Sequence, residues 1–165
     1  MSNDRPVPTF DDDAPRRLCL ICSKGSLDMA YPGLILANAA LGEGIETHLF
    51  FTFWGFDIIR TKTMGTLAFS PVGNPAAHMP TALTVLPGMQ RLATSMMRKQ
   101  IAELGVPTVP EMLDTVADAG GHLWACRMSF DMFKLQRADL YDRVEDVIGA
   151  TEFMEISAGA QTMFI

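Results

Sequence analysis

The sequence has little positive charge. Its 165 residues include 13 lysines and arginines against 19 aspartates and glutamates, which gives a formal net charge of −6. Proteins that bind nucleic acids usually displace counterions from the phosphates with a basic stripe, and the sequence contains no such stripe. The composition therefore predicts that nucleic acids are not partners of this chain.

Cysteine is also scarce, since the chain contains only Cys19, Cys22 and Cys126. An odd number of cysteines does not suit a disulfide framework. The first 17 residues are polar and lack the apolar stretch of a secretory signal. We therefore expect reduced thiols and a cytoplasmic protein.

The usual cofactor and metal motifs are missing. The sequence contains neither G-x-x-x-x-G-K-[ST] nor G-x-G-x-x-G, so nothing in it favours a bound nucleotide. Three cysteines and three histidines occur without the paired spacing that zinc sites show. We predict no cofactor and no metal site.

Charge is absent from one long segment, residues 63–90, whose 28 residues include no Asp, Glu, Lys or Arg. The segment contains four prolines, Pro71, Pro75, Pro80 and Pro87. They exclude a continuous membrane helix, so we predict no transmembrane span. We interpret residues 1–16 as a disordered tail and residues 17–165 as one domain that carries this apolar, Met- and Pro-rich insert. Because a monomer rarely exposes so apolar a patch, the insert should be buried between subunits or against a partner.

Strand and helix patterns alternate along the domain. Apolar runs at residues 17–23 and 46–52, at His122–Cys126 and at residues 161–165 are typical of buried strands. Helical patterns occupy the segments between them, beginning after Ser26, at residues 89–104 and 110–119, after Ser129 and at residues 149–159. Residues 142–146 are typical of a loop, with a brief strand near residues 144–148 as the alternative. The order predicts an α/β fold, an open parallel sheet of four or five strands with helices on both faces, flavodoxin-like or Rossmann-like.

Cys126 is the strongest candidate for a reactive residue. It ends a predicted strand, and ligands of open α/β sheets collect beyond the carboxyl ends of the strands. A helix beginning directly afterwards, together with the charge of Arg127, would stabilise a thiolate, which is the nucleophilic form. From its position alone, a buried structural cysteine is an equally good interpretation.

The other two cysteines form a C-x-x-C pattern that is not expected to be redox-active. Residues three apart in a strand point to opposite faces and lie about 10 Å apart. Cys19 is therefore interpreted as core packing, whereas Cys22, near the carboxyl end of its strand, is a candidate second thiol that receives or resolves a persulfide. A Cys–His pair is a poor fit because His122 lies about 13 Å from Cys126 along the strand. His78, in the long loop, could fold over the site, but nothing in the sequence requires it.

Two further groups of residues are candidates for the site. Lys24, Gly25 and Ser26 form a strand-to-helix turn that could hold a sulfur-containing anion, although an ordinary turn with a solvated lysine is the alternative. Trp54 and Phe56 follow the second strand and could line the approach, or could belong to the aromatic core.

Several segments together resemble the DsrE/DsrF/TusD-like sulfurtransferase family, in particular its single-chain DsrE-like branch. They are residues 21–28 after the first strand, Phe53–Gly55 after the second, residues 125–131 around Cys126, and the tail from residue 149. Members of the family often have a second cysteine soon after the reactive one, whereas Arg127, Met128 and Ser129 follow here. The insert at 63–90 is also longer than the minimal fold needs.

The resemblance implies a sulfur-relay protein that carries a persulfide or thiosulfonate on Cys126, with Arg127 and Ser129 beside the bound sulfur species. It also implies a homo-oligomer, a trimer or a hexamer, with a rhodanese-like donor or a TusA-like carrier as partner. Two alternatives remain open, a non-catalytic assembly or docking module and a small-molecule sensor of the same fold.

Overall fold

A computed structural model describes residues 16–70 and 88–165 of the chain. Of the predicted segments, the N-terminal tail up to residue 15 and residues 71–87 of the insert lie outside the described residues. What the sequence predicts for these two segments therefore stays a prediction.

Five strands form one sheet in which every neighbouring pair is parallel. They are β1 (Arg17–Cys22), β2 (Glu46–Phe51), β3 (His122–Cys126), β4 (Asp146–Ile148) and β5 (Gln161–Phe164). Their spatial order is β4-β3-β2-β1-β5. The predicted open parallel sheet is confirmed, and β4 is the brief strand that the sequence left as an alternative to a loop.

In residues 16–70 and 88–165, six α-helices connect these strands: α1 (Leu27–Gly42), α2 (Phe56–Ile59), α3 (Met89–Glu103), α4 (Val109–Asp118), α5 (Arg127–Met132) and α6 (Ala150–Ile156). The prediction that a helix begins after Ser129 is wrong. Helix α5 begins three residues earlier, at Arg127, so that Cys126 itself is the N-cap residue, in an extended conformation, and Ser129 lies inside the helix.

The register of the strands separates two faces of the sheet. Cys22 is aligned with Phe51, and Phe51 with Ala125. Because side chains alternate along a strand, these three residues share one face, and Cys126 lies on the opposite face.

Helices cover both faces, as predicted. Helices α1 and α4 pack together on the face of Cys22, where Leu34, Leu49, Leu113 and Leu123 are fully buried. Each such side chain contributes about 1.5–3 kcal/mol through its burial. Helix α6 covers the other face, where Phe153 stacks on Phe50 with ring centroids 4.4 Å apart.

The turns after β1 and β2 touch backbone to backbone. A Cβ atom at Gly25 would lie 2.1 Å from the carbonyl oxygen of Trp54, and one at Gly55 would lie 2.0 Å from the carbonyl oxygen of Cys22. The N–H of Thr52 donates to this same Cys22 oxygen at 3.0 Å. Both glycines are therefore needed for the close approach of the two turns at the carboxyl edge of the sheet.

Replacing Gly55 with alanine should destabilise the fold, because the new methyl group would collide with the backbone of β1. We expect a loss of roughly 3 kcal/mol or more in the free energy of unfolding, measured by urea denaturation. Gly42 provides the matched control, since it ends α1 and a Cβ atom there would meet no other part of the chain within 4 Å. Gly42→Ala should leave stability unchanged or raise it by up to about 1 kcal/mol, and an equal effect of both substitutions would contradict this account.

Candidate functional site

Cys126 ends β3 and caps α5 at the carboxyl edge of the sheet. It is aligned with Ile148, the last residue of β4, and α6 begins two residues after Ile148. Two helices, α5 and α6, therefore begin directly after adjacent strands at this edge of the sheet. Cys126 itself is only 5% exposed in the single subunit and belongs to the edge of the apolar core.

Arg127 lies on the exposed side of α5. Its guanidinium donates a hydrogen bond to the carbonyl oxygen of Val147 in β4. This bond anchors a positive charge at the carboxyl ends of β3 and β4.

Ser129 has a partner within the protein. Its fully buried hydroxyl accepts a hydrogen bond from the N–H of Phe53 at 2.8 Å and lies 3.3 Å from the hydroxyl of Thr52. Phe53 has a φ of 46°, a left-handed conformation that costs a non-glycine residue about 1–2 kcal/mol. Ser129 thus holds the strained turn after β2 against α5, a structural role that the sequence did not reveal.

Lys24, Gly25 and Ser26 line a cleft of about 660 Å³ between the turn after β1 and residues 63–70. Asp28 and Asp57 contribute carboxylates to the same cleft. Cys126 and Arg127 are not among its lining residues, so the structure does not bring the lysine turn and the cysteine into one cavity.

The two aromatic candidates differ in accessibility. Trp54 is 64% exposed and lines the cleft. Phe56 is fully buried and packs against Phe133, with ring centroids 6.1 Å apart. Phe56 therefore belongs to the aromatic core, which was the alternative interpretation, and Trp54 alone of the pair can meet a ligand.

Cys22 is buried under α1, where its sulfur would lie 3.3 Å from a Cβ atom at Gly33. Burial raises the pKa of the Cys22 thiol from its ordinary value of 9.0 to about 12. The thiol also lies on the opposite face of the sheet from Cys126. Neither its location nor its protonation favours the hypothesis that it receives a persulfide from Cys126.

Cys19 is fully buried in the core, as the sequence analysis expected. Burial raises the pKa of its thiol too. Among the three cysteines, only Cys126 lies at the carboxyl edge and on the face that α6 covers.

A polar cluster at the opposite, amino edge of the sheet was missed by the sequence analysis. The rings of His48 and His122 stack with centroids 4.6 Å apart, and Glu46 accepts a hydrogen bond from His48 at 2.9 Å. Burial lowers the pKa of His48, an effect that this hydrogen bond partly opposes. The sequence did contain a signal for this cluster, because the predicted strand boundaries place residue 46 and residue 122 at the starts of two strands.

The chain matches a known protein family over most of its length, since residues 14–165 fit the DsrE/DsrF/DrsH-like family. The chain belongs to this family. A relative from Allochromatium vinosum, named sulfur carrier protein DsrE2, is 36% identical over 150 residues, which cover 86% of this chain and 92% of the relative. An uncharacterized protein, YrkE of Bacillus subtilis, is 23% identical over 91% of this chain and 97% of its own.

Solved structures support the same fold for this DsrE-like chain. The ychN protein from E. coli matches with a TM-score of 0.55 and 12% identity, covering 91% of this chain and 99% of its own. A protein of unknown function from Methanobacterium thermoautotrophicum matches with a TM-score of 0.50 and 9% identity over the same shares. At these identities the likeness shows the fold.

Within residues 16–70 and 88–165 of the DsrE-like chain, the helices are too short or too polar for any of them to cross a membrane.

Cys22 of the folded chain should resist alkylation. At pH 8, moving its pKa from 9.0 to about 12 lowers the thiolate fraction about a thousandfold, and only the thiolate reacts. We therefore expect iodoacetamide to modify Cys22 at least about a thousandfold more slowly in the native chain than in the urea-unfolded chain, as followed by peptide mapping. Similar rates in the two states would show that the thiol is accessible and ionised.

Proposed function

We propose that this chain is a sulfur carrier that holds sulfane sulfur on Cys126. The observation that carries the proposal is the 36% identity, across 86% of the chain, to a protein named as a sulfur carrier. The location of Cys126 supports it, because the carboxyl edge of a parallel sheet is where such folds bind their ligands.

The electrostatics at Cys126 suit a sulfur anion. The residue occupies the N-cap position of α5, and the N–H groups of a first helical turn favour a nearby negative charge. Arg127 contributes a full positive charge, held in place by the carbonyl oxygen of Val147. A thiolate and a terminal persulfide are both anions, so the same groups stabilise Cys126 before and after it is loaded.

The reaction is two successive exchanges. The Cys126 thiolate attacks the outer sulfur of a donor persulfide, a new S–S bond forms, and the donor sulfur leaves with the electron pair of the broken bond as a thiolate. An acceptor thiolate then attacks the terminal sulfur on Cys126 and releases the Cys126 thiolate. Each step breaks one S–S bond and makes another, so no cofactor or external oxidant is needed.

Access to the thiol constrains this mechanism, because Cys126 is nearly buried. Donor and acceptor must reach its sulfur when α5 moves away from the sheet edge. This helix has six residues, and four of its side chains are exposed: Arg127, Met128, Asp131 and Met132. Short peripheral elements with few buried contacts open most easily, so α5 is the element that we expect to admit the partner.

The partners we propose are other proteins of sulfur metabolism, a rhodanese-like donor and a TusA-like carrier. Exchange of this kind needs reduced thiols, which the cytoplasm maintains. We also propose a trimer or a hexamer. Helix α3 supports this, since it buries none of its residues in the described part of the chain and exposes Leu92 and Met96 on one side.

A second candidate function is small-molecule sensing, which the cleft at Lys24 favours. The cleft is large enough for a metabolite, contains both charge signs and is separate from Cys126. A sensor would bind its ligand there without any chemistry at a thiol.

Sulfur loading distinguishes these functions. After incubation with polysulfide, thiosulfate or tetrathionate, we expect intact-mass analysis to show a sulfur adduct that a thiol reductant removes. Cys126→Ser should abolish the adduct because it removes the attacking atom, whereas Cys19→Ser, a matched thiol substitution, should retain it. Full retention of the adduct in Cys126→Ser would refute a carrier role for Cys126. So would the absence of an adduct with every donor, and ligand binding without any adduct would then favour the sensor.

Sedimentation velocity tests the oligomer. We expect the mass of a trimer or hexamer for the wild-type chain and smaller species for Met96→Glu, because a carboxylate on α3 would be costly to bury in a subunit contact. Lys99→Gln, an exposed position on the same helix, is the control and should leave the mass unchanged. A wild-type chain that sediments as a stable monomer would contradict this proposal while leaving the sulfur chemistry untouched.

A further inference from the structure

The amino edge of the sheet brings together three side chains that can bind a metal ion. Glu46 and His48 come from β2 and His122 from β3, and one ligand atom of each lies within 4.8 Å of the others. His122 is four residues before Cys126 in the same strand, about 13 Å away. The cluster is therefore separate from the proposed sulfur site and does not depend on it.

Neighbouring side chains fix the tautomer of His122 and the position of the Glu46 carboxylate. The Nδ1–H of His122 donates to Glu145 at 2.6 Å, which leaves the lone pair of its Nε2 for a ligand. Histidines that bind metals usually donate their other ring N–H to a carboxylate in this way. Glu46 is held by Arg17, whose guanidinium lies 2.9 Å from its second oxygen.

We propose that Glu46, His48 and His122 form a binding site for a divalent transition-metal ion of the Zn²⁺ type. Two imidazoles and a carboxylate are ligands that Zn²⁺ accepts, and three protein ligands leave a fourth position for water. The ion joins β2 to β3 at the edge where these strands begin.

The hydrogen bonds of His48 in the metal-free protein predict how metal binding would change them. The indole N–H of Trp124 donates to Nδ1 of His48 at 3.1 Å, so the ring proton of His48 is on Nε2 and is shared with Glu46 at 2.9 Å. The ion takes the place of this proton. The proton moves to Nδ1, the imidazole stays neutral, no net proton is released, and Trp124 loses its acceptor.

The ring stack must also open. The lone pair of an imidazole lies in the ring plane, and the rings of His48 and His122 are nearly parallel, at 15°. Both must tilt before they can point at one ion. Trp124 stacks on both rings, with centroids 6.3 Å and 6.2 Å away, so its surroundings change with them.

Tryptophan fluorescence and calorimetry test the site on the full chain after removal of any affinity tag. The chain has two tryptophans, and Trp54→Phe makes Trp124 the single reporter. We expect ZnCl₂ to change the Trp124 emission with the same midpoint that calorimetry gives for binding, and to raise the melting temperature. No heat and no emission change up to about 1 mM Zn²⁺ would overturn the proposal.

Four variants locate the ion. His122→Ala removes a ligand and should weaken binding by about a hundredfold or more, and Glu145→Gln, which disturbs only the orientation of His122, should weaken it by about 10–100-fold. Glu46→Gln should also weaken binding and serves if His122→Ala fails to fold. His78 is the remaining histidine of the chain, and His78→Ala is the control, which should bind Zn²⁺ normally.

Co²⁺ in place of Zn²⁺ identifies the type of ligand. Coordination by imidazole and carboxylate should give visible d–d bands without the near-ultraviolet charge-transfer band of a thiolate. A thiolate band, loss of binding in His78→Ala, or wild-type affinity in both His122→Ala and Glu46→Gln would place the ion elsewhere and overturn the proposal.

Discussion

Cys22, Phe51 and Ala125 lie side by side in three parallel strands, and this register determines where the reactive groups of the chain lie. Close contact between the turns at Gly25 and Gly55 brings the carboxyl ends of β1 and β2 together, and backbone pairing aligns β3 with β2. With the strands paired in this way, the residue after Ala125 must lie at the carboxyl edge and on the opposite face from Cys22. The location of Cys126 is thus a consequence of backbone pairing.

The three cysteines lie in different surroundings. Cys19 and Cys22 are buried, and burial raises the pKa of both thiols because a thiolate there would lose its hydration. Cys126 is also largely buried, but it caps a helix and lies next to an arginine. Burial is therefore common to the three thiols, and Cys126 differs from the other two in its N-cap position and its neighbouring arginine.

The two edges of the sheet have different chemical character. The carboxyl edge presents helix N-termini, the charge of Arg127 and a thiol, which suits anions. The amino edge presents Glu46 and the imidazoles of His48 and His122, which suits a cation. The strands separate the two sites by the length of β3. An ion at the amino edge would stabilise the sheet on which Cys126 depends without touching the sulfur.

The sequence by itself determined the order of strands and helices, because buried parallel strands are short apolar runs and their boundaries carry glycine and serine. It also determined that Cys126 ends a strand, which made it a candidate, and the family resemblance, which the comparisons confirmed. The tertiary structure alone decided that Ser129 binds the turn at Phe53, that Phe56 is core, and that Lys24 and Cys126 do not share a cavity. It alone placed Glu46, His48 and His122 together. These outcomes depend on register and packing between segments far apart in the chain, and hydrophobic patterns within a segment carry no information about such distances.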